Sequence, residues 1–514
     1  MVFIQRNCYP FILSAFTRNN MPHYLLAIDQ GTTNSRAILF NASGEPQSQY
    51  EMPLTQSFPQ PGWVEQDANE MFNNIVRCCR EAVKIANVSL EDIAAVGISN
   101  QRETTIVWDR ITGDPIYPAI VWQDRRTADL CEQIASWPIS EFFQEKTGLL
   151  LDPYFSLTKV LWILEHVTGA QERAKKGELL FGTVDTFLLW KLTSGKSHAT
   201  DASNASRTLM FNIHHQRWDE DILSAFDIPT NLLPIVLDNA THFGDMDVKI
   251  LGKLIPIMGM AGDQQAATIG QACFYPGMIH ATYGTGAFLL LNIGPAFFQS
   301  QNRLLTTVLY RLNNQVTYGL EGSIFSAGTT IKWLRDTLHL IQTASETEKL
   351  AQALLSNEGV YLVPAFTGLG APYWAPHTRA AIFGLTRSSG RESLARAALE
   401  SVAYQTFDLL QAMIQEKKLP LKDLRVDGGM AANNWLMQFL ADMLQIDVYR
   451  PPSVETTALG AAYLAGLGVG MYSSLEDISQ HWQTNAIFNP HMSMVERDNL
   501  YHGWNAAVKK ILSK

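Results

Sequence analysis

Asp29-Gln30-Gly31-Thr32-Thr33 gathers a carboxylate, a glycine and two hydroxyls within five residues. Gly31 lets backbone amides approach an anion closely. The turn amides and the hydroxyls of Thr32 and Thr33 can donate to phosphate oxygens, and Asp29 can hold Mg2+ directly or through water. Gly284-Thr285-Gly286 offers a second cradle of the same kind far along the chain. Asp and Gly are also ordinary turn residues, so either motif alone could be a plain turn. Together they point to a nucleoside triphosphate held from two sides. Asp263 ends an apolar run and opens a helical one. It is either a helix N-cap or a general base that takes a hydroxyl proton during phosphoryl transfer. Arg102-Glu103 sets several donors beside an acceptor, which suits the hydroxyls of a polyol or makes an exposed charged turn. Trp122 and Phe288 either cover the carbons of such a substrate or sit in the core. Asp427-Gly428-Gly429 with Asn433 suits the adenosine end of a nucleotide, or an Asp-Gly turn before a helix. The sequence has no Walker A lysine motif and no kinase-type glycine-rich loop, which excludes those two phosphoryl-transfer classes.

These residues need elements to carry them. Residues 24–28 and 35–40 read as strands around a polar turn at 29–34, a β-hairpin. Residues 69–86 read as an amphipathic helix with Met71, Ile75, Cys78 and Cys79 on its apolar face. A strand at 93–99 delivers Arg102-Glu103, a strand-like stretch follows at 104–109, and helices dominate from 156 to 192. Residues 255–260 form a strand that delivers Asp263. A hairpin over 280–291 turns at Gly284-Thr285-Gly286. Residues 424–426 form a strand that delivers Asp427, before a helix with Leu436, Phe439, Leu440, Met443 and Leu444 on one face. Two hairpins with Gly/Thr turns at such long separation are not a short repeat. The expected fold is α/β, with two related halves divided near residue 270 and ligands in the cleft between them.

The bulk properties agree. A chain of 514 residues exceeds one ordinary core, and 46% hydrophobic with 17% charged residues implies much interior. A net charge of −10 without a basic run excludes nucleic acid and anionic membrane as partners. The five cysteines, Cys8, Cys78, Cys79, Cys131 and Cys273, show no zinc spacing, so a reducing cytoplasm is expected rather than a disulfide framework. Residues 458–472 are uncharged, but Gly460, Gly466, Gly468 and Gly470 point to a close-packed soluble helix rather than a membrane span. Residues 1–20 carry Arg6 and Arg18 and no acid; they read as an idle extension before Met21 or as a targeting segment.

In combination the motifs resemble the FGGY carbohydrate kinases, which share a ribonuclease H-like fold with the actin/Hsp70-like ATPases. The likeness also rests on Asn100-Gln101-Arg102-Glu103-Thr104-Thr105, Trp122-Gln123-Asp124-Arg125-Arg126, Asp152-Pro153-Tyr154-Phe155-Ser156, Asn204-Ala205-Ser206-Arg207-Thr208 and Gly262-Asp263-Gln264-Gln265. It runs from about residue 24 to the C-terminus. Residues 154–166 fit the family's first signature; residues 380–400 fit the second except at Ser393, where a carboxylate, amide or histidine is usual. The resemblance implies an extension at 1–22, a glycerol-binding N-terminal domain at 23–270 and a nucleotide-binding C-terminal domain at 271–514. It implies glycerol as acceptor, with ATP and Mg2+. Arg102, Glu103, Tyr154, Asp263 and Gln264 would bind the glycerol hydroxyls, Trp122 and Phe288 its carbons, and Asp263 would be the base. Thr32, Thr33, Asn34, Arg36 and Thr285 would line the phosphate path. Gly328, Lys332, Gly429 and Asn433 would lie on the nucleotide side, and Asp29 and Asp263 would hold the metal. Asn34 stands where serine is frequent, and Lys332 where glutamine is. A homo-oligomer, dimer or tetramer, is expected. The rival readings are a kinase for another polyol or ketose, an ATP-driven binding protein and a phosphohydrolase.

Overall fold

Leu25-Leu26-Ala27-Ile28 is apolar at four consecutive positions, so its strand has to be covered on both faces. All four side chains are buried. In the computed structural model, which describes residues 23–375, 377–417, 419–453 and 455–513, this strand lies inside a six-stranded sheet. The expectations for residues 1–22 fall outside the described residues.

The first sheet contains β1 (Tyr24–Gln30), β2 (Asn34–Asn41), β3 (Pro46–Pro53), β4 (Ile93–Asn100), β5 (Ala240–Met246) and β6 (Ile255–Gly262). Their order is β5-β6-β4-β1-β2-β3. The second sheet contains β7 (Ile279–Tyr283), β8 (Ala287–Gly294), β9 (Leu305–Leu312), β10 (Gln315–Ile324), β11 (Leu424–Asp427), β12 (Val448–Arg450) and β13 (Ala486–Phe488). Their order is β9-β10-β8-β7-β11-β12-β13. Each strand of the first sheet has a counterpart in the second. Both sheets have a hairpin (β1–β2, β7–β8) extended by a third antiparallel strand (β3, β10). Each then adds two parallel strands on the other side (β4 and β6, β11 and β12) and an antiparallel edge strand. The second sheet carries β9 in addition. The two halves are therefore related, each with a sheet and flanking helices.

Six helices matter for the site: α1 (Ala68–Ala86), α2 (Ser156–His166), α3 (Asp263–Gly270), α4 (Gly328–Lys332), α5 (Asn434–Leu444) and α6 (Thr456–Gly468). Met71, Ile75, Cys78 and Cys79 are buried on α1, and Leu436, Phe439, Leu440, Met443 and Leu444 on α5. The helix α6 follows β12 of the second sheet, yet it packs on α3 and on β1, β4 and β6 of the first. Its small residues allow backbone contact: a Cβ on Gly460 would stand 1.8 Å from the Ala266 carbonyl oxygen, and one on Gly97 of β4 would stand 2.0 Å from that of Ala461. Among the described residues no helix is long and apolar enough to cross a membrane.

The structure departs from the sequence reading in three places. Asp29 lies in β1 rather than in the turn, because it pairs with Arg36 across the hairpin and with Ser99 of β4; the turn is only Gly31–Thr33. The strand expected from residue 104 begins at Ile106. The segment read as helical holds a buried strand, Leu179–Gly182, paired with Ile106–Asp109. Four apolar residues in a row carry no period that separates strand from helix.

Candidate active site

Parallel strands place their carboxyl ends side by side, and ligands of such sheets sit there. Gln30 of β1 pairs with Asn100 of β4, and Asn100 with Gly262 of β6. The segments that follow, Gly31–Thr33, Gln101–Thr105 and α3, therefore converge from remote parts of the chain.

Arg102 is 3% exposed. Its Nε lies 3.1 Å from Asp263 Oδ1 and 3.9 Å from Glu103 Oε1, and its Nη2 is 3.5 Å from the Tyr154 hydroxyl. Glu103 holds a φ of 60°, the left-handed region that a non-glycine residue enters at a cost. Such strain persists only where the surroundings fix it, and Arg207 Nε does so at 2.7 Å from Glu103 Oε1. Above these charges stands an aromatic wall. Trp122 meets Tyr154 edge-on at 5.6 Å between ring centroids and Phe288 of β8 at 6.2 Å, so both halves contribute. Lys159 of α2 gives its ammonium protons to the carbonyls of Pro153, Tyr154 and Phe155, at 2.7, 2.7 and 3.1 Å, and so fixes the turn that carries Tyr154. Burial lowers the Lys159 pKa to about 8.

Asp263 is the first residue of α3 rather than its cap, and its Oδ1 accepts from the Gln264 amide at 2.7 Å. Its side chain keeps 30% exposure. Burial pushes its pKa up to about 7; Arg102 and the Gln264 amide oppose this, and the charges of Glu103 and Asp29 add to it. A carboxylate with that pKa suits a general base near neutral pH. Gln264 Oε1 is buried without a hydrogen-bond partner among the described residues, so an acceptor stands free for a substrate hydroxyl.

On the phosphate side, Gly31 spends its amide on the Asn34 carbonyl at 3.0 Å, which leaves half-buried Thr32 and exposed Thr33 toward the opening. Trp122 Nε1 donates to Thr32 Oγ1 at 2.9 Å and so joins this turn to the aromatic wall. Arg36 bridges Asp29 Oδ2 and Glu455 Oε2, both at 2.6 Å, and Ser99 donates to Asp29 Oδ1 at 2.9 Å. In the second half the Gly284–Gly286 turn rests on α4. The Gly328 amide donates to the Gly284 carbonyl at 3.0 Å, Thr329 Oγ1 to the Thr285 carbonyl at 3.0 Å, and Lys332 Nζ to Thr285 Oγ1 at 3.5 Å. A Cβ at Gly328 would come within 2.5 Å of the Gly284 oxygen. Gly429 is exposed with open space where a Cβ would be. Asn433 closes the helical turn that begins at Gly429, its amide donating to the Met430 carbonyl at 3.1 Å. Its Oδ1 caps α5 through the Leu436 amide at 2.9 Å, and its Nδ2 donates to Thr347 Oγ1 at 3.2 Å.

Three groups, Glu321, Arg207 and Glu455, were given no role by sequence reasoning. Glu321 and Arg207 complete the charge cluster, with Arg207 Nη2 2.9 Å from Glu321 Oε1 and Arg102 Nη1 2.5 Å from Glu321 Oε2. A lone carboxylate in the otherwise uncharged strand β10 was the available signal, since burying one demands a cation. Glu455 joins Arg36 from across the chain. Asp427 is buried and bonded by His280 Nε2 at 2.9 Å, Thr282 Oγ1 at 2.6 Å and Thr456 Oγ1. It braces the strand before Gly428-Gly429. Burial raises its pKa, but the contact with His280 and the bonds from the two threonines outweigh that and hold the carboxyl below its ordinary value.

Among the described residues no three metal-binding side chains gather. A Mg2+ arriving with phosphate oxygens and water would find Asp263 partly open, whereas Asp29 already accepts from Arg36 and Ser99 and would reach the metal through water.

Two family models match the chain: the N-terminal domain of the FGGY family of carbohydrate kinases over residues 24–270, and its C-terminal domain over residues 279–469. A glycerol kinase of Coxiella burnetii is 57% identical over 494 residues, 96% of this chain and 98% of that protein. A glycerol kinase of Ectopseudomonas mendocina is 58% identical, over 96% of this chain and all of that protein. Among solved structures, Plasmodium falciparum glycerol kinase with ADP superposes with a TM-score of 0.90 at 35% identity, over 96% of this chain and 98% of that one. A xylulose kinase of Lactobacillus acidophilus shares the fold with a TM-score of 0.86 at 20% identity, over 96% of this chain and 99% of that one. The chain belongs to the FGGY family of carbohydrate kinases.

Proposed function

We propose that this chain transfers the γ-phosphoryl group of ATP to a terminal hydroxyl of glycerol, giving sn-glycerol 3-phosphate and ADP. The observation that carries this is the contact of Arg102 with Asp263, at 3.1 Å, beneath Trp122, Tyr154 and Phe288. It sets a base and a fork of donors under an apolar roof, the chemistry of a small polyol. The relatives named glycerol kinase, similar over nearly the whole chain, support the same acceptor.

In this reading Arg102, Glu103, Tyr154 and Gln264 bind hydroxyls, and Trp122 and Phe288 pack on the carbons. Asp263 takes the proton of the attacking hydroxyl. The hydroxyl oxygen forms its bond to the γ-phosphorus, the bond to the β,γ-bridging oxygen breaks, and ADP leaves with that electron pair. Thr32, Thr33, Asn34, Arg36 and Thr285 line the phosphates, and Gly328, Lys332, Gly429 and Asn433 lie along the nucleotide. Mg2+, when bound with ATP at Asp29 and Asp263, supplies charge neutralisation. Catalysis is then mainly positioning and charge stabilisation. The reading extends to a cytoplasmic enzyme, on the cysteine usage, and to a homo-oligomer, which sedimentation checks.

The test is ADP release in a coupled assay with glycerol, dihydroxyacetone, xylulose and gluconate as acceptors. Rapid release with glycerol alone is expected. Release without any acceptor, or faster release with a ketose, sinks the reading.

A further inference from the structure

Glu321 belongs to β10 of the second half, yet its partners are arginines of the first. Its Oε2 lies 2.5 Å from Arg102 Nη1, and its Oε1 lies 3.3 Å from Arg102 Nη2 and 2.9 Å from Arg207 Nη2. The sheet register explains how it reaches them. Glu321 pairs with Leu290 and Ser323 pairs with Phe288, so Glu321 stands on the same sheet face as Phe288. The face that supplies one wall of the polyol pocket thus also supplies this carboxylate. Burial alone pushes the Glu321 carboxyl up, but the two guanidinium charges outweigh it and hold it below its ordinary value. It is ionised and fully committed to the arginines.

The four groups close a ring. Arg102 meets Glu321, Glu321 meets Arg207, Arg207 meets Glu103 at 2.7 Å, and Glu103 returns to Arg102 at 3.9 Å. Two cations and two carboxylates alternate, all 3% exposed or less. A planar guanidinium gripped along its Nη1–Nη2 edge by one carboxylate cannot rotate. Its Nε edge is left facing Asp263.

We propose that Glu321 and Arg207 are positioning residues for the acceptor. They fix the Arg102 guanidinium and the Glu103 carboxylate in the orientation that reads the polyol hydroxyls, and Glu321 makes that orientation depend on the second half. The proposal rests on Arg102 and Glu103 as polyol binders.

Glu321→Gln in the full chain tests it, with a thermal melt, steady-state kinetics for glycerol and ATP, and propane-1,2-diol and propane-1,3-diol as alternative acceptors. We expect the glycerol KM to rise about tenfold or more, the ATP KM to stay within about twofold, and kcat to fall less than KM rises. Glu321→Asp, which keeps the charge, recovers part of the loss. The penalty shrinks for the diol that lacks the hydroxyl Arg102 holds. An unchanged glycerol KM in a folded variant overturns the proposal. A loss of equal size for glycerol, both diols and ATP also overturns it, as a merely structural effect. If Glu321→Gln does not fold, Arg207→Lys carries the test: a raised glycerol KM at constant ATP KM supports the proposal, and an unchanged one overturns it. Arg102→Gln separates the two layers. If it leaves the glycerol KM unchanged, the polyol-binding reading itself fails. If it raises that KM while Glu321→Gln does not, only the positioning role fails.

Discussion

Asp263 must be ionised to take a proton, and it sits where ionisation is disfavoured. Burial, with Glu103 and Asp29 adding to it, carries its pKa from 3.8 up to about 7. The kcat/KM for MgATP, which reads the enzyme before the metal arrives, should therefore rise with pH through about 7 and level off above. A profile flat from pH 5.5 to 8 would contradict a base at this position. Replacing it with asparagine should lower kcat by about 10²–10⁴-fold while glycerol still binds, as calorimetry would read. The same shift has a stability sign. The folded-state pKa exceeds the unfolded value, so the stabilisation is complete below 3.8 and lost as pH rises through about 7. Asp263→Asn should then melt above the parent at pH 8, with the gap shrinking toward pH 5. Asp263, Arg102 and Glu103 were legible because each follows a readable strand. Glu321 and Glu455 were not: the ion pairs that explain them join residues 219 and 419 positions apart, and no local pattern encodes that distance.

Among the elements, the Gly284–Gly286 turn depends on a helix that the sequence did not announce. The Gly328 position at the start of α4 admits no side chain, since a Cβ would lie 2.5 Å from the Gly284 oxygen. Gly328→Ala should displace the turn and raise the ATP KM while the glycerol KM holds. Equal changes in both would place the turn elsewhere in the mechanism. The hairpins themselves were readable, because apolar runs broken by Gly and Thr leave few alternatives. The strand Leu179–Gly182 was not, because a short apolar run inside a helical region has no signature of its own. For α6 the glycines foretold close packing, but not that the surface awaiting the helix belongs to the other half.

For the molecule as a whole, that placement of α6 matters most. One apolar cluster holds Leu25, Ala27, Ala95 and Ala261 of the first sheet, Leu290 and Leu309 of the second, and Ala461 and Leu464 of α6. Neither half owns this core. The paired cradles were visible as an echo between residues 30 and 285, whereas the exchange of a covering helix leaves no trace in composition or period. It bears on how the chain can be divided. Residues 23–270 produced alone would present Leu25, Ala27 and Ala95 to water and should aggregate, whereas co-expression with residues 271–514 should return a soluble pair. Calorimetry of the intact chain should show one melting transition rather than two. Independent melting of the halves would mean the shared core contributes little. The same helix would keep a nascent first half from completing its fold until Thr456–Gly468, almost 190 residues beyond that half, has left the ribosome.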